Sequence, residues 1–322
     1  MALTYSDTAN YRGVLYLYGK SKAPFLAAIG GRSKRTSVRT FPVASPWTLS
    51  AASQDTQAET TAAAAGTPTT ISRGQDTNVC QIMKYDVMTT FMKQSLSGSF
   101  SGVNSLDGTE VLDELGFQKK GALMQLAKNI EYSMLQGAHT AESATSTNVK
   151  MRGLIEAIDT NTVAAGGLKL SKEMIEELVR EMVDSGAPFD SVTMVCNAFQ
   201  MQMISDIYGY APQDRTMGGV AIDSFLVPGA GVVRTLFSPE MPTDEVYLAE
   251  MSVMAPVYLP VSYAPDGNIE PSTVQAGPVD VLYQPASVVM GAARGGFFYT
   301  QVGLDYGPEE YSGSITGLAT SA

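Results

Sequence analysis

The feature that most constrains the fold is a polar stretch at residues 48–72, which lies between two strand-like segments. Seventeen of its 25 residues are Ser, Thr or Ala, and it contains no Lys or Arg. Such a composition buries little apolar surface, so the stretch is predicted to be a long exposed loop. Residues 38–43 before it and the alternating, Val-, Tyr- and Thr-rich residues 78–91 after it favour strands. Together these segments predict a long hairpin with a low-complexity tip.

The strongest helix signal in the first half covers residues 113–137. Apolar side chains recur there at the spacing of one helical face, and Gly137 stands where a C-terminal cap belongs. The face consists of Leu123, Leu126, Ala127, Ile130 and Met134.

The second half mixes helices with strands that look antiparallel. Ser171 is placed to cap a helix that begins at residue 172, with Leu170 and Ile175 as a hydrophobic staple. Short strand patterns dominate after residue 220, without regular βαβ alternation. The pattern therefore predicts an α+β fold rather than a doubly wound sheet.

Charge is distributed unevenly along the chain. The net charge is -11, yet residues 8–54 contain seven Lys or Arg and no acid. The other 275 residues carry a net charge of -18. This asymmetry predicts that the basic N-terminal segment, including "GGRSKRTSVR" at residues 30–39, meets an acidic surface on its own chain or on a neighbouring copy. Its glycines are predicted to permit a turn, and nucleic acid is the competing partner.

The chain offers little for catalysis. Its single histidine, His139, falls in a polar loop, and no GxSxG elbow stands between a strand and a helix. Gly30, Gly31 and Lys34 lack the spacing of a phosphate-binding loop. Cys80 and Cys196 have no cysteine or histidine partners nearby in sequence. We therefore predict no catalytic residue, metal or cofactor, although an enzyme or a phosphate-binding module stays a minor alternative.

Residues 10–22 interleave aromatic and basic side chains, among them Tyr11, Arg12, Tyr16 and Tyr18. Such a mixture is typical of base-stacking surfaces, but it also suits an arm that anchors on a neighbouring subunit. We favour the anchor. No apolar run of 18 residues and no signal peptide is visible, so we expect a cytosolic protein without a membrane span.

Several stretches, in order along nearly the whole chain, resemble the major capsid proteins of tailed bacteriophages, whose shared architecture is the Hong Kong 97 type. They are "APFLAAIGGRSK" (residues 23–34), "RGQDTNVCQIMKYDVMTT" (73–90), "KNIEYSMLQG" (128–137), "MRGLIEAIDTNT" (151–162) and "FYTQVGLDYGPEEYSGSITGL" (298–318).

The resemblance implies four parts. They are an N-terminal arm (residues 1–38), an extended E-loop hairpin (39–92), a peripheral domain (93–164 and 276–322) that holds a spine helix at about 113–137, and an axial domain (165–275). In this family the arm and E-loop lie across neighbouring subunits. The candidate intersubunit contacts are accordingly Arg12, Tyr16, Tyr18, Arg32, Lys34, Arg35, Arg39 and Trp47.

The function implied by the resemblance is a structural one. The chain is expected to assemble with many copies of itself, as hexamers and pentamers, into an icosahedral shell. The shell would enclose double-stranded DNA without sequence-specific binding, after assembly in the cytoplasm of a host bacterium. Portal, scaffold or decoration proteins are possible further partners, and no membrane is expected. An encapsulin-like shell that holds protein cargo is the alternative.

Overall fold

The computed structural model describes residues 23–45, 47, 49, 54, 71, 73–92, 114–143, 148–208, 224–260, 272–276, 279–285 and 291–321. Two mixed sheets, a two-stranded hairpin and five α-helices make up this part of the chain. Helices and strands do not alternate regularly, which confirms the predicted α+β class. No helix among the described residues is long and apolar enough to cross a membrane.

The first sheet has a long central strand with neighbours on both sides. Its strand order is β1, β10, β13, β12, β11, and β4 pairs with β13 along its other edge. The strands are β1 (Lys34–Arg35), β4 (Gln81–Thr90), β10 (Ala255–Tyr258), β11 (Ser272–Ala276), β12 (Val279–Pro285) and β13 (Ala293–Asp305). All of these pairings are antiparallel except that of β1 with β10.

Three helices pack on this sheet. They are α1 (Pro24–Ile29), α2 (Glu114–Gln136) and α3 (Leu154–Ala157). Helix α2 confirms the predicted spine helix, and Leu126, Ile130 and Met134 of its predicted apolar face are buried in one core with residues of β4 and β13. Leu123 packs partly buried against the same core. The 3.6-residue period thus located the buried face correctly.

The second sheet forms around a separate core. Its order is β5, β14, β9, β6, β8, β7. The strands are β5 (Thr162–Ala164), β6 (Val192–Cys196), β7 (Ser224–Val227), β8 (Gly231–Phe237), β9 (Val246–Glu250) and β14 (Gly313–Thr316). Helices α4 (Lys172–Asp184) and α5 (Ala198–Tyr208) contribute buried residues to its core.

The cap predicted at the start of α4 is confirmed. The Oγ atom of Ser171 accepts a hydrogen bond from the backbone N–H of Met174 at 3.4 Å. Leu170 and Ile175, the predicted staple, are buried in the same core. Gly186 follows the last turn with a φ of 84°, a conformation that favours glycine.

The predicted hairpin is confirmed at its base. Strand β2 (Thr40–Ala44) pairs antiparallel with β3 (Asp76–Val79), and Cys80 separates β3 from β4. Most of the predicted tip lies outside the described residues.

The two sheets divide the chain differently from the predicted domains, as β5, β10, β11 and β14 show. Strands β10 and β11 fall inside the predicted axial domain, yet they pair in the first sheet with β13 and β12. Strand β14 falls inside the predicted peripheral domain, yet it pairs with β5 and β9 in the second sheet. Long-range strand pairing of this kind leaves no local trace in the sequence, so the domain limits themselves stay a prediction.

Candidate intersubunit surfaces at the root of the arm and hairpin

The structure describes five of the eight predicted contact residues. Arg12, Tyr16 and Tyr18 lie outside the described residues. Trp47 follows β2 and is 58% exposed, while Leu49 and Ile71 beyond it are also more than half exposed. The remaining four are the cations of residues 30–39, which the structure places along the edge of the first sheet.

Arg32 and Lys34 bind the loop after β9 and the end of β13. The Nη1 atom of Arg32 donates to the carbonyl of Met251. The Nζ atom of Lys34 lies 2.5 Å from Oδ2 of Asp305, a carboxylate that is only 5% exposed. The other Asp305 oxygen accepts from the backbone N–H of Gly307, so the carboxylate is satisfied on both sides.

Arg35 and Arg39 also have partners in the same chain. The Nε atom of Arg35 donates to the hydroxyl of Tyr258, and its guanidinium lies 5.3 Å from the centre of that ring. Arg39 forms a 3.1 Å ion pair with Glu142. The contact of Arg35 with Tyr258 joins β1 to β10, which pair in parallel, and the N–H of Thr36 donates to the Tyr258 carbonyl at 3.0 Å.

The four cations therefore bind two acids, one carbonyl and one tyrosine of their own chain, and partners in the same chain are one of the two outcomes that the charge pattern left open. Their partners are 103 to 271 residues away in sequence. Contact with a neighbouring copy stays a prediction for this group.

The prediction that glycines permit the turn at residues 30–31 is wrong. Gly30 has a φ of -62°, and neither glycine has the positive φ that favours glycine. A Cβ atom on Gly31 would meet nothing within 4 Å. The chain there is an ordinary 3-10 turn over Gly30–Arg32, which other residues also adopt.

Asn78 joins the base of the hairpin to the body of the protein, a role that the sequence did not reveal. It is fully buried. Its Nδ2 atom donates to the carbonyls of Leu304 at 2.7 Å and Arg152 at 3.1 Å. Its Oδ1 atom accepts from the N–H groups of Val79 at 2.8 Å and Arg152 at 2.9 Å. One amide thus saturates its hydrogen bonds between β3, the segment after α2, and β13.

A close apolar contact supports the same junction. Phe41 of β2 is buried with Cys80 and Val257 in a small core of its own. A Cβ atom on Gly303 of β13 would lie 2.7 Å from Cε1 of Phe41 and 2.8 Å from the Val79 carbonyl oxygen. Glycine is required at residue 303 because the hairpin base packs directly on the β13 backbone.

The end of α2 crosses the following segment with a similar close approach. The N–H of Gly153 donates to the carbonyl of Gly137 at 2.8 Å. A Cβ atom on Gly153 would lie 2.5 Å from the Gly137 nitrogen and 2.7 Å from the Leu135 carbonyl oxygen. Gly137, which was predicted as a helix cap, thus also lies where the backbone passes close to Gly153.

Glu131 connects α2 to the arm and to the second sheet. This fully buried carboxylate accepts from the Ser238 hydroxyl at 2.6 Å and from the N–H of Leu26 in α1 at 3.4 Å. Burial raises its pKa, and the nearby Glu240 carboxyl raises it further, while the hydrogen bonds oppose the rise. Sequence patterns did not reveal this role of Glu131, because an acid in a helical pattern ordinarily marks the solvated face.

The acidic, histidine and cysteine side chains of the described residues do not gather into a metal-binding group. No three His, Cys, Asp or Glu side chains in this part of the chain form a group that would hold a metal ion. Cys80 and Cys196 are free and buried, and burial raises the pKa of each thiol to about 12. Neither thiol is therefore activated as a nucleophile.

The chain is similar over nearly its whole length to solved structures of capsids and of an encapsulin. The chain is similar to the cyanophage A-1(L) capsid asymmetric unit (13% identity, 99% of both chains, TM-score 0.65). It is also similar to the capsid of the native GTA particle (12% identity, 98% of this chain and 96% of that one, TM-score 0.59). A third likeness is to the holo-SrpI encapsulin of Synechococcus elongatus PCC 7942 (10% identity, 98% and 94%, TM-score 0.56). At these identities the likeness shows the fold, which is that of a Hong Kong 97-type capsid subunit.

The sequence family makes the assignment specific. The family model of the SU10 major capsid protein matches residues 2–319, and the chain belongs to that family. The prediction of a tailed-phage major capsid protein is confirmed, and the protein is a structural subunit of a virion shell that assembles from copies of itself. No curated protein sequence matches the chain.

Proposed function

We propose that the chain forms hexamers and pentamers that close into an icosahedral shell around double-stranded DNA. In this proposal the arm (residues 1–38) and the E-loop hairpin (39–92) bind adjacent subunits, while the axial domain (165–275) surrounds the five- and six-fold axes. Assembly takes place in the host cytoplasm, with portal, scaffold or decoration proteins as further partners. The protein is not an enzyme.

The observation that carries this proposal is the exposure of large apolar side chains on a hairpin whose base is rigidly held. Val38, Trp47, Leu49 and Ile71 are each more than half exposed at or beyond the ends of β2 and β3. Exposed apolar side chains of this size are candidates for burial in an assembly. Asn78 and Phe41 meanwhile fix the hairpin base on β13. A fixed base with exposed apolar side chains beyond it suits a contact repeated identically around a capsomer.

Sedimentation and negative-stain microscopy of the expressed chain test this proposal. We expect closed particles, tubes or sheets of capsomers from the wild-type chain. Trp47→Ser combined with Leu49→Ser should abolish them without changing the circular dichroism of the subunit. Leu168→Ser is the matched control, because Leu168 is as exposed as these residues but lies on the loop before α4. Wild-type assembly by the double variant would refute the role of the hairpin.

The basic segment has its own test. We propose that Arg32, Lys34, Arg35 and Arg39 add salt-sensitive contacts between subunits beyond their intrachain partners. Charge reversal of all four should lower particle yield at low salt. Unchanged yield and unchanged salt tolerance would refute this proposal.

The likeness to an encapsulin favours a second candidate function, a shell that holds protein cargo. Nucleic-acid content separates the two. Particles purified from infected cells after nuclease treatment should contain protected double-stranded DNA, whereas a constant protein cargo without DNA would favour the second function.

A further inference from the structure

Glu131 lies at a point where three segments of the chain meet. Helix α2 carries it, and the N–H of Leu26 in α1 donates to its Oε2 atom at 3.4 Å. The hydroxyl of Ser238, directly after β8, donates to its Oε1 atom at 2.6 Å. The N–H of Ser238 in turn donates to the carbonyl of Cys196 in β6 at 3.1 Å. One carboxyl group therefore ties both α1 and the second sheet to α2.

The surroundings of this carboxyl disfavour a negative charge. Glu131 and Ser238 are fully buried, and the neighbouring Glu240 is only 9% exposed. Helix α1 has no titratable side chain, and among the described residues no Lys, Arg or His forms an ion pair with Glu131. Lys128, one turn earlier in α2, lies 4.0 Å from Glu240 and compensates that carboxylate instead. A buried carboxylate without a cation is disfavoured relative to its protonated form.

The hydrogen bonds of Glu131 suit a protonated carboxyl as well as a charged one. Oε2 accepts from the N–H of Leu26 in both states. Between Oε1 and the Ser238 hydroxyl, either group can be the donor, because a hydroxyl and a protonated carboxyl both donate and accept. Protonation thus keeps both links and removes the buried charge. Burial, together with the charge of Glu240, accordingly raises the pKa of Glu131.

We propose that Glu131, Ser238 and Glu240 form a proton-dependent latch. While Glu131 holds a proton, the latch attaches α1 and the segment after β8 to α2. When Glu131 loses the proton, its charge is buried beside Glu240, the attachment weakens, and α1 opens more often. Helix α1 is the first described helix, so the latch sets how firmly the root of the N-terminal arm is held. It lies within one chain and does not rest on the proposed function.

The direction of the pH dependence follows from proton linkage. The closed state binds the proton of Glu131 more tightly than the open state, in which this group titrates near its ordinary value of 4.5. Opening is therefore rarest at low pH. It becomes more frequent as the pH rises from 4.5 towards the raised pKa, by up to about tenfold per pH unit. Above the raised pKa both states are charged, and the dependence levels off.

Hydrogen exchange of dissociated full-length subunits measures the opening. Exchange of the α1 amides, corrected for the intrinsic effect of pH on exchange, should become faster above pH 4.5 and then level off. The amides of α4 are the internal reference, because that helix packs in the other core. Their protection should stay constant over this range. Equal loss of protection in α1 and α4, or no pH dependence in α1, would overturn the latch.

Glu131→Gln mimics the protonated state. The amide oxygen can still accept from the N–H of Leu26, and the NH2 group can donate to the Ser238 hydroxyl. We expect α1 in this variant to be as protected at neutral pH as it is in the wild type at low pH. Glu177→Gln is the matched control, because Glu177 is an exposed acid of α4, and it should retain the wild-type dependence. A wild-type pH dependence in Glu131→Gln would overturn the latch.

Infrared titration detects the proton itself and does not require the glutamine variant to fold. In the wild type, the C=O stretch of a protonated carboxyl should persist well above pH 4.5. Ser238→Ala removes a hydrogen bond that favours the charged form, so this band should then disappear at a still higher pH. Absence of such a band, or a band that Ser238→Ala does not shift, would overturn the latch.

Discussion

Replacing Asn78 by aspartate tests how the hairpin base is held. The change is nearly isosteric, so the packing of the residue is kept. Oδ1 still accepts from the N–H groups of Val79 and Arg152. The second oxygen, however, replaces an NH2 group that donates to the carbonyls of Leu304 and Arg152 at 2.7 and 3.1 Å. The variant thus turns two hydrogen bonds into two contacts between oxygen atoms.

The magnitude follows from this geometry. Two lost hydrogen bonds account for about 2 kcal/mol at roughly 1 kcal/mol each. The site is fully buried, so the new carboxyl must also carry an uncompensated charge or take up a proton, which adds at least about 1–2 kcal/mol. We expect the free energy of unfolding to fall by about 3–4 kcal/mol at neutral pH. Because the hairpin base is the part released, particle yield should fall as well.

Urea unfolding of dissociated subunits measures the change, and negative-stain microscopy measures the yield. Asn148→Asp is the matched control, because Asn148 is exposed and the same change of charge there should cost less than about 0.5 kcal/mol. If Asn78→Asp lowered the free energy of unfolding no more than the control does, the proposed role of Asn78 in holding the hairpin base would be refuted. A full loss of stability with normal particles would refute the link between the junction and assembly.

Three further predictions concern other positions in the fold. Gly153→Ala should lower the free energy of unfolding by roughly 3 kcal/mol, because the new Cβ atom would overlap backbone atoms that cannot move aside. Gly121→Ala, in open space within α2, should instead raise the free energy of unfolding by about 0.5–1 kcal/mol. Equal effects of the two variants in thermal denaturation would contradict this. Burial raises the pKa of Glu131, so its contribution to stability is present at low pH and is lost as the pH rises through the raised pKa. Glu131→Gln should therefore remove part of the fall in stability above pH 4.5, and parallel pH curves for the two proteins would count against the assignment. Cys80 and Cys196 should resist thiol reagents at pH 8 until the chain unfolds, since burial raises both pKa values to about 12; rapid labelling of the native chain would contradict that.

Local sequence patterns were sufficient to predict the elements that depend on residues close to one another in the chain. The apolar period of α2, the Ser171 cap of α4 and the strands around the low-complexity tip are all confirmed by the structure. Each depends on residues within a few positions of one another, so the sequence shows it directly.

The contacts that join distant segments of the chain could not be predicted in this way. Asn78 bonds to residues 74 and 226 positions away, and Lys34 meets Asp305 across 271 positions. In the sequence, an amide or carboxylate that will be buried cannot be distinguished from an exposed polar residue, because its partners are distant in the chain. For the same reason the sequence showed that the basic segment needed acidic partners but left their location open.

Family likeness supplied what local patterns did not, namely the shell function. We propose from it that copies of this chain build a closed lattice in which the arm and hairpin cross subunit boundaries. Electron cryo-microscopy of purified particles tests that claim most directly. We expect icosahedral particles in which density for the hairpin of one subunit lies on the adjacent subunit. Particles whose hairpin contacts only its own subunit, or a dispersed monomer under every assembly condition, would contradict it.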